Sequence, residues 1–556
     1  MSILLILAGA ACTGSGTDNG VVENLDGDVV ALRLEPDAVE AEVTTGDPVE
    51  VDFAAIATFE SGVEAEIDLV AWSSSNLSAG EIDADGVFTS VDTNGGVTLV
   101  TAAHLGIEAT AEVRVVYTED VVADGADAGL VAAFDAASPT TGASPALLYP
   151  SDGVRVPRNL EGLGFLWDAP TGANAHRLRL RSDITDISVF TLTDTSWFAT
   201  AALWEQISAA NRNGEVEVTV ASGTWSGSAL TDVVEGPPIT LTVNRLDARG
   251  SVLYWSTAVR GIMRIPFGSD QAEVFWGDFP DDSCYGCHVV SEITDEMVIS
   301  HDGISGMFSI LDVGNPDNPF VRVAHSDDRR ITFKTVSPDG RYLLATNEGV
   351  FSLYSMETGE RLRTYSFPDP YSQPDFSPDG ESVVAVRIVR EWENEFFFRG
   401  GEIVILPWND GDLGDPQVVV PGDPVYNYYY PAWSPDGAWI AYNRTIGRGY
   451  ASRDAELYLV NPEGDLNIRL SNANGEGTGL QNSYPRWGPL PDDDVLWLAY
   501  SSLRDYAIDD RDEPQIWVTA IDTEAASAGQ DPSSAPFWLP GQRTDADNHL
   551  PYWWKL

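Results

Sequence analysis

The chain has 556 residues, 43% of them hydrophobic and 10% aromatic, which is enough apolar material for several packed domains. Its 86 acidic residues against 31 basic ones give a formal net charge of -55. A surface of that sign repels phosphate backbones and anionic headgroups, so nucleic acid is excluded as a partner and direct adhesion to an anionic bilayer is disfavoured.

Residues 1–23 begin with the apolar run Ile3–Ala11, which ends in small residues directly before Cys12. Such a run reads as a secretory signal and is too short to span a bilayer. An ordinary signal peptide with an incidental cysteine is one reading. Cys12 also resembles the lipidated first residue of a bacterial lipoprotein, and that resemblance implies attachment to the outer membrane through the lipid alone. Thr13, rather than Asp, follows the cysteine, so the inner-membrane retention signal is missing. The small, polar residues Thr13–Glu23 read as a tether.

Residues 24–118 carry short alternating runs such as Val51–Phe59 and Ala109–Tyr117, separated by turn residues, which predicts a β-sandwich. The segments Val70–Asn76 with Trp72, Asp83–Thr89 with Gly86, and Val97–Ala103 resemble the bacterial immunoglobulin-like group 2 domain, which implies a spacer or adhesion module. The acidic, Ala-rich stretch 119–143 reads as a linker. Residues 144–247 follow, where Tyr149–Gly153, Gly164–Pro170 and Ala175–Arg181 resemble a fibronectin type III sandwich with Trp167 as its core tryptophan. His104 and His176 are read as surface positions of the two sandwiches.

Residues 248–556 contain an internal repeat. Its clearest copies are Phe333–Gly340, Gln373–Gly380 and Tyr430–Gly437, each closing on Ser-Pro-Asp-Gly and each followed by two apolar strands. Pro fixes one dihedral of the turn and Gly accepts a positive one. The repeat resembles the six-bladed TolB-like β-propeller. Leu550–Trp553 supplies an inner strand with no blade after it, while Ser251–Ser256 and Gly261–Pro266 are outer strands with none before them, so both ends are expected to share one blade. The fold class is therefore all-β: two sandwiches, then a six-bladed propeller.

Within the repeat lies Cys284-Tyr-Gly-Cys287-His288, the pattern by which a c-type haem is attached: two thiols for the vinyl groups and an imidazole for the iron. A redox disulfide is the alternative for the thiol pair. A structural zinc site would need further ligands, and Cys12 is the only other cysteine. Against the repeat, Cys287–Ser291 takes the place of Tyr430–Ser434, so the loop enters the second blade's innermost strand. His301, Met307, His325 and His549 then fall toward the haem face, and His549, preceding the closing inner strand, is the candidate second axial ligand. Met263, Met297 and Met356 are read as core.

These features predict an exported, lipid-anchored monohaem c-type cytochrome on a propeller, with one covalent haem c passing single electrons to a redox partner or envelope component. The alternatives are an envelope binding or scaffold lipoprotein without haem and a haem peroxidase-like enzyme. No Gly-x-Ser-x-Gly elbow, His-Glu-x-x-His helix or phosphate-binding glycine loop occurs. The acidic run Asp509–Glu513 has calcium-binding residue types, yet a solvated loop is the favoured reading.

Overall fold

The computed structural model describes residues 27–277, 285–291, 293–301, 306–450, 452–489, 495–506 and 513–555. Cys12, the tether, Cys284 and most of the acidic run 509–513 lie outside the described residues. The chain divides into two compact units, one ending at Val115 and one running from Val116.

The first unit is a small β-structure of antiparallel sheets. Val29–Glu35 pairs with Ala54–Phe59, and Gly96–His104 pairs with the first half of the long strand Ile107–Val122. In Gly96–His104 the exposed Val97 and Leu99 alternate with the buried Val100 and Ala102 as the strand period demands. Phe88, Val100 and Val113 fill its core. Each such side chain fully buried contributes about 1.5–3 kcal/mol.

The second unit opens with Tyr117–Val122, which pairs in parallel with Thr185–Phe190. A helix, Gly129–Ala136, then buries Leu130 and Phe134 against Phe190, Ala221 and Val233. Part of the stretch 119–143, whose composition suggests a linker, thus belongs to the packed body. Trp167 is buried, as expected of a core tryptophan. His176 departs from its expected surface position: it is 1% exposed, stands edge-on to Trp167 with ring centroids 5.8 Å apart, and its Nδ1 lies 2.8 Å from Ser222 Oγ. Burial pushes its pKa down to about 4.

Six antiparallel sheets follow as propeller blades. From the innermost strand outward, the first blade runs Asn548–Trp554, Ser251–Ser256, Gly261–Pro266 and Glu273–Trp276. Both ends of the propeller sequence therefore meet in one sheet, closing the ring. The innermost strands of the other blades are Tyr285–Ser291, Lys334–Val336, Tyr371–Phe376, Asn427–Trp433 and Ser483–Trp487. Each Ser-Pro-Asp-Gly turn joins the two innermost strands of its blade; the Ser hydroxyl donates to the Asp carboxylate, and Gly340, Gly380 and Gly437 hold φ of 72–74°.

Blades pack face to face. Leu253, Ile262 and Trp554 of the first meet Val290, Met297 and Leu311 of the second, and Val298 and Ile310 meet Leu343 and Tyr354 of the third. Met263, Met297 and Met356 are all buried. The β-structure that precedes the propeller within the second unit sits against the sixth blade: the Tyr149 hydroxyl accepts from the Trp538 amide at 3.2 Å, its ring meets Tyr506 edge-on, and the Ala535 amide donates to the Gly153 carbonyl. This contact covers the outer edge of that blade.

Candidate functional site: the mouth of the propeller channel

Five of the six innermost strands carry the same irregularity. Their pairing slips at residues 287–288, 373–374, 430–431, 484–485 and 550–551, and the first residue of each pair, Cys287, Gln373, Tyr430, Tyr484 or Leu550, adopts a φ between 46 and 58°. Such bulges re-aim side chains and interrupt the ladder. The second residue is Pro at 374, 431, 485 and 551, a side chain with no N–H to leave unpaired. In the second blade His288 stands in the proline's place, and in the third, by repeat register, Lys334 does. Two neighbouring blades therefore put a nitrogen-bearing side chain where the others have an inert ring.

Cys287 and His549 border a common cavity of about 300 Å³ at one mouth of the channel, with Trp255, Phe396, Tyr450, Tyr484 and Asp547. Ring contacts run round this mouth. Phe333 lies 4.8 Å from Phe396, Phe396 5.1 Å from Tyr450, Tyr450 6.5 Å from Tyr484, Tyr484 6.3 Å from His549, and His549 6.2 Å from Trp255. A smaller cavity of about 50 Å³ continues inward, bordered by Cys287, His288, Lys334, Tyr430, Tyr484 and Arg486. A wider space of about 530 Å³ opens at the Ser-Pro turn end, where Asp375, Trp433 and Arg486 take part in the wall.

Burial governs the electrostatics. His288 is 8% exposed, and burial with the Lys334 charge nearby lowers its pKa to about 3. Neither of its ring nitrogens makes a hydrogen bond of good geometry, although the Leu253 backbone lies near enough to favour the protonated ring. Burial lowers the pKa of His549 to about 4, and its Nδ1 is buried without a partner. Both imidazoles are thus neutral near pH 7 and capable of ligation. The Cys287 thiol is pushed up by burial, against the pull of Lys334, which makes it a poor nucleophile. Lys334 is 7% exposed and lowered by burial to about 8; its Nζ donates to Ser300 Oγ at 2.6 Å.

The other residues singled out from sequence go elsewhere. His301 Nε2 lies 2.8 Å from Ser309 Oγ, and its ring lies tilted 4.2 Å from His325 and edge-on 5.0 Å from Tyr285. Neither histidine borders the mouth cavity, nor does the half-buried Met307. Among the described residues no three of His, Cys, Asp and Glu gather as a metal site, and no helix is long and apolar enough to cross a membrane. Lys334 went unremarked in the sequence, although the repeat alignment marks it as the residue that replaces proline.

No protein-family model matches the chain, and no curated protein matches it. Among solved structures it is similar to a TolB structure from Agrobacterium tumefaciens (16% identity over 56% of this chain and 100% of that one, TM-score 0.33). It is also similar to TolB from Acinetobacter baumannii (12% identity, 61% and 79%, TM-score 0.39). A third is the hydrazine synthase of Kuenenia stuttgartiensis (18% identity, 42% and 62%, TM-score 0.29).

Proposed function

We propose that the propeller is the binding module of an envelope lipoprotein and takes its ligand in the aromatic mouth of the channel. One observation carries this reading: residues from five blades, Cys287 among them, converge on a cavity of about 300 Å³ in which five of the ten wall residues are rings, interrupted by a few polar groups. Aromatic walls with sparse polar groups suit a flat, partly apolar ligand. Export and a lipid on Cys12 belong to the same proposal; Cys12→Ser should release the protein from the membrane fraction, and unchanged fractionation without an acylated N-terminus would reject that part.

A second reading, covalent haem c, is favoured by a separate observation: the imidazole that completes the CxxCH motif has two buried nitrogens without hydrogen-bond partners. Buried polar groups left so are uncommon and call for a ligand or a bound water. Cys284 and Cys287 would hold the group, with His288 and His549 as its imidazole ligands; the haem would supply one-electron chemistry. The residues fit in donor type. Cys287 and His549 face the mouth, whereas His288 borders the inner cavity that Cys287 also lines. Expression with a cytochrome c maturation system separates the readings: a red band that survives denaturing electrophoresis in the wild type and vanishes in Cys284→Ala/Cys287→Ala supports haem. A colourless wild type leaves the mouth to a dissociable ligand.

A further inference from the structure

We propose that the inner part of the channel is an anion subsite in which Lys334 receives a carboxylate group. The inference deepens the mouth-binding reading and rests on it only where the carboxylate belongs to a larger ligand.

Lys334 occupies the wall position that four other blades give to proline, so neither the repeat nor the strand pairing requires an ammonium there. The side chain is 7% exposed and donates to Ser300 Oγ, itself 1% exposed. Among the described residues the group that acts on its charge is the Cys287 thiol, itself kept neutral by burial, and no carboxylate does so in a chain that holds 86 acidic residues. A buried ammonium without a counter-ion is strongly disfavoured, and one neutral hydroxyl does not replace the missing charge.

The rest of the small cavity has the same polarity. Arg486 stands in its wall, and no Asp or Glu does. His288, 8% exposed and neutral near pH 7, also borders it and brings no negative charge. Of the acidic groups that border the neighbouring spaces, Asp547 lies at the mouth, and Asp375 lies in the wider space at the other end, where the Trp433 amide donates to it at 2.9 Å, Thr335 Oγ1 at 3.4 Å, and the Arg486 charge acts on it as well. A volume of about 50 Å³ admits a carboxylate and not a sugar or a base. Two sources share that chemistry: a free small carboxylate, and the acidic end of a ligand whose flat part lies among the mouth rings, since Cys287 and Tyr484 border both cavities.

The test uses the full-length chain, titrated calorimetrically with formate and with phenylacetate at constant ionic strength against chloride. Both should bind saturably, and Lys334→Met should weaken both by about tenfold or more, as expected for loss of a charged hydrogen bond. Lys334→Arg should keep the binding, and Arg486→Gln, on the opposite wall, should weaken it, so the assignment does not depend on one variant folding. Phenylacetate binding more tightly than formate, with the difference abolished by Tyr450→Ala, assigns the carboxylate to a larger ligand. Equal affinities assign it to a free anion and reject the mouth reading while the subsite stands. Absence of formate binding to the wild type, or wild-type affinity in both Lys334→Met and Arg486→Gln, overturns the proposal.

Discussion

Cys287 and His549 border one cavity although they stand at opposite ends of the propeller sequence. The closing strand Asn548–Trp554 causes this, because it makes the last segment of the chain the innermost strand of the first blade, beside the strand that begins at Tyr285. Any group carried on the Cys287 thiol enters a space that the His549 side chain, with its buried and unpartnered Nδ1, also borders.

In protein matured with haem, His549→Ala should convert a low-spin spectrum partly to high spin and let carbon monoxide bind the reduced iron. An unchanged spectrum would assign the sixth position to another group or leave it open.

Lys334→Met should stabilise the fold near pH 7. Burial takes the ammonium from its ordinary 10.5 to about 8, a cost on the order of 3 kcal/mol that an apolar side chain of similar length does not incur. Urea unfolding should show a higher midpoint for the variant. A lower midpoint would mean that Lys334 is held by interactions stronger than its bond to Ser300.

His176 should make the second unit acid-sensitive. Its folded-state pKa of about 4 lies below the ordinary 6.5, so the unfolded chain takes up the proton first as pH falls. The contribution is intact above about pH 6.5 and is lost progressively down to about pH 4, reaching about 2–3 kcal/mol by pH 4.5. His176→Gln should reduce the difference in unfolding free energy between pH 7.5 and pH 4.5 by that amount. Equal pH dependence in the two proteins would contradict the burial argument.

Trp554→Ala should cost about 3–5 kcal/mol, since the indole is fully buried against Phe275 and removing it leaves a cavity at the contact between the first two blades. Calorimetry should show the propeller transition lowered, with the first unit melting as before. A loss below about 1 kcal/mol would mean that the closing strand adds little to the ring.

The propeller was legible because its signals are local and repeated: Ser-Pro-Asp-Gly turns flanked by apolar strands, and strand counts at the two ends that match only if they share a sheet. Composition failed at 119–143, where acidic and Ala-rich residues serve a linker and a short packed helix equally well. His176 was misread although the strand period was informative, for it shares a face with the fully buried Leu178 and Leu180. Cys287 and His549 could be brought together by repeat register. The role of Lys334 could not, because it depends on knowing that the proline position borders the channel and that no carboxylate reaches it.

The closing strand also orders events during biosynthesis. Ser251–Ser256 leaves the ribosome together with its partner Gly261–Pro266 on one side, but its other edge waits for Asn548–Trp554, which follows almost three hundred residues later. Until then the nascent chain carries an open β-edge, and a product terminated before Asn548 would keep it permanently as a template for aggregation.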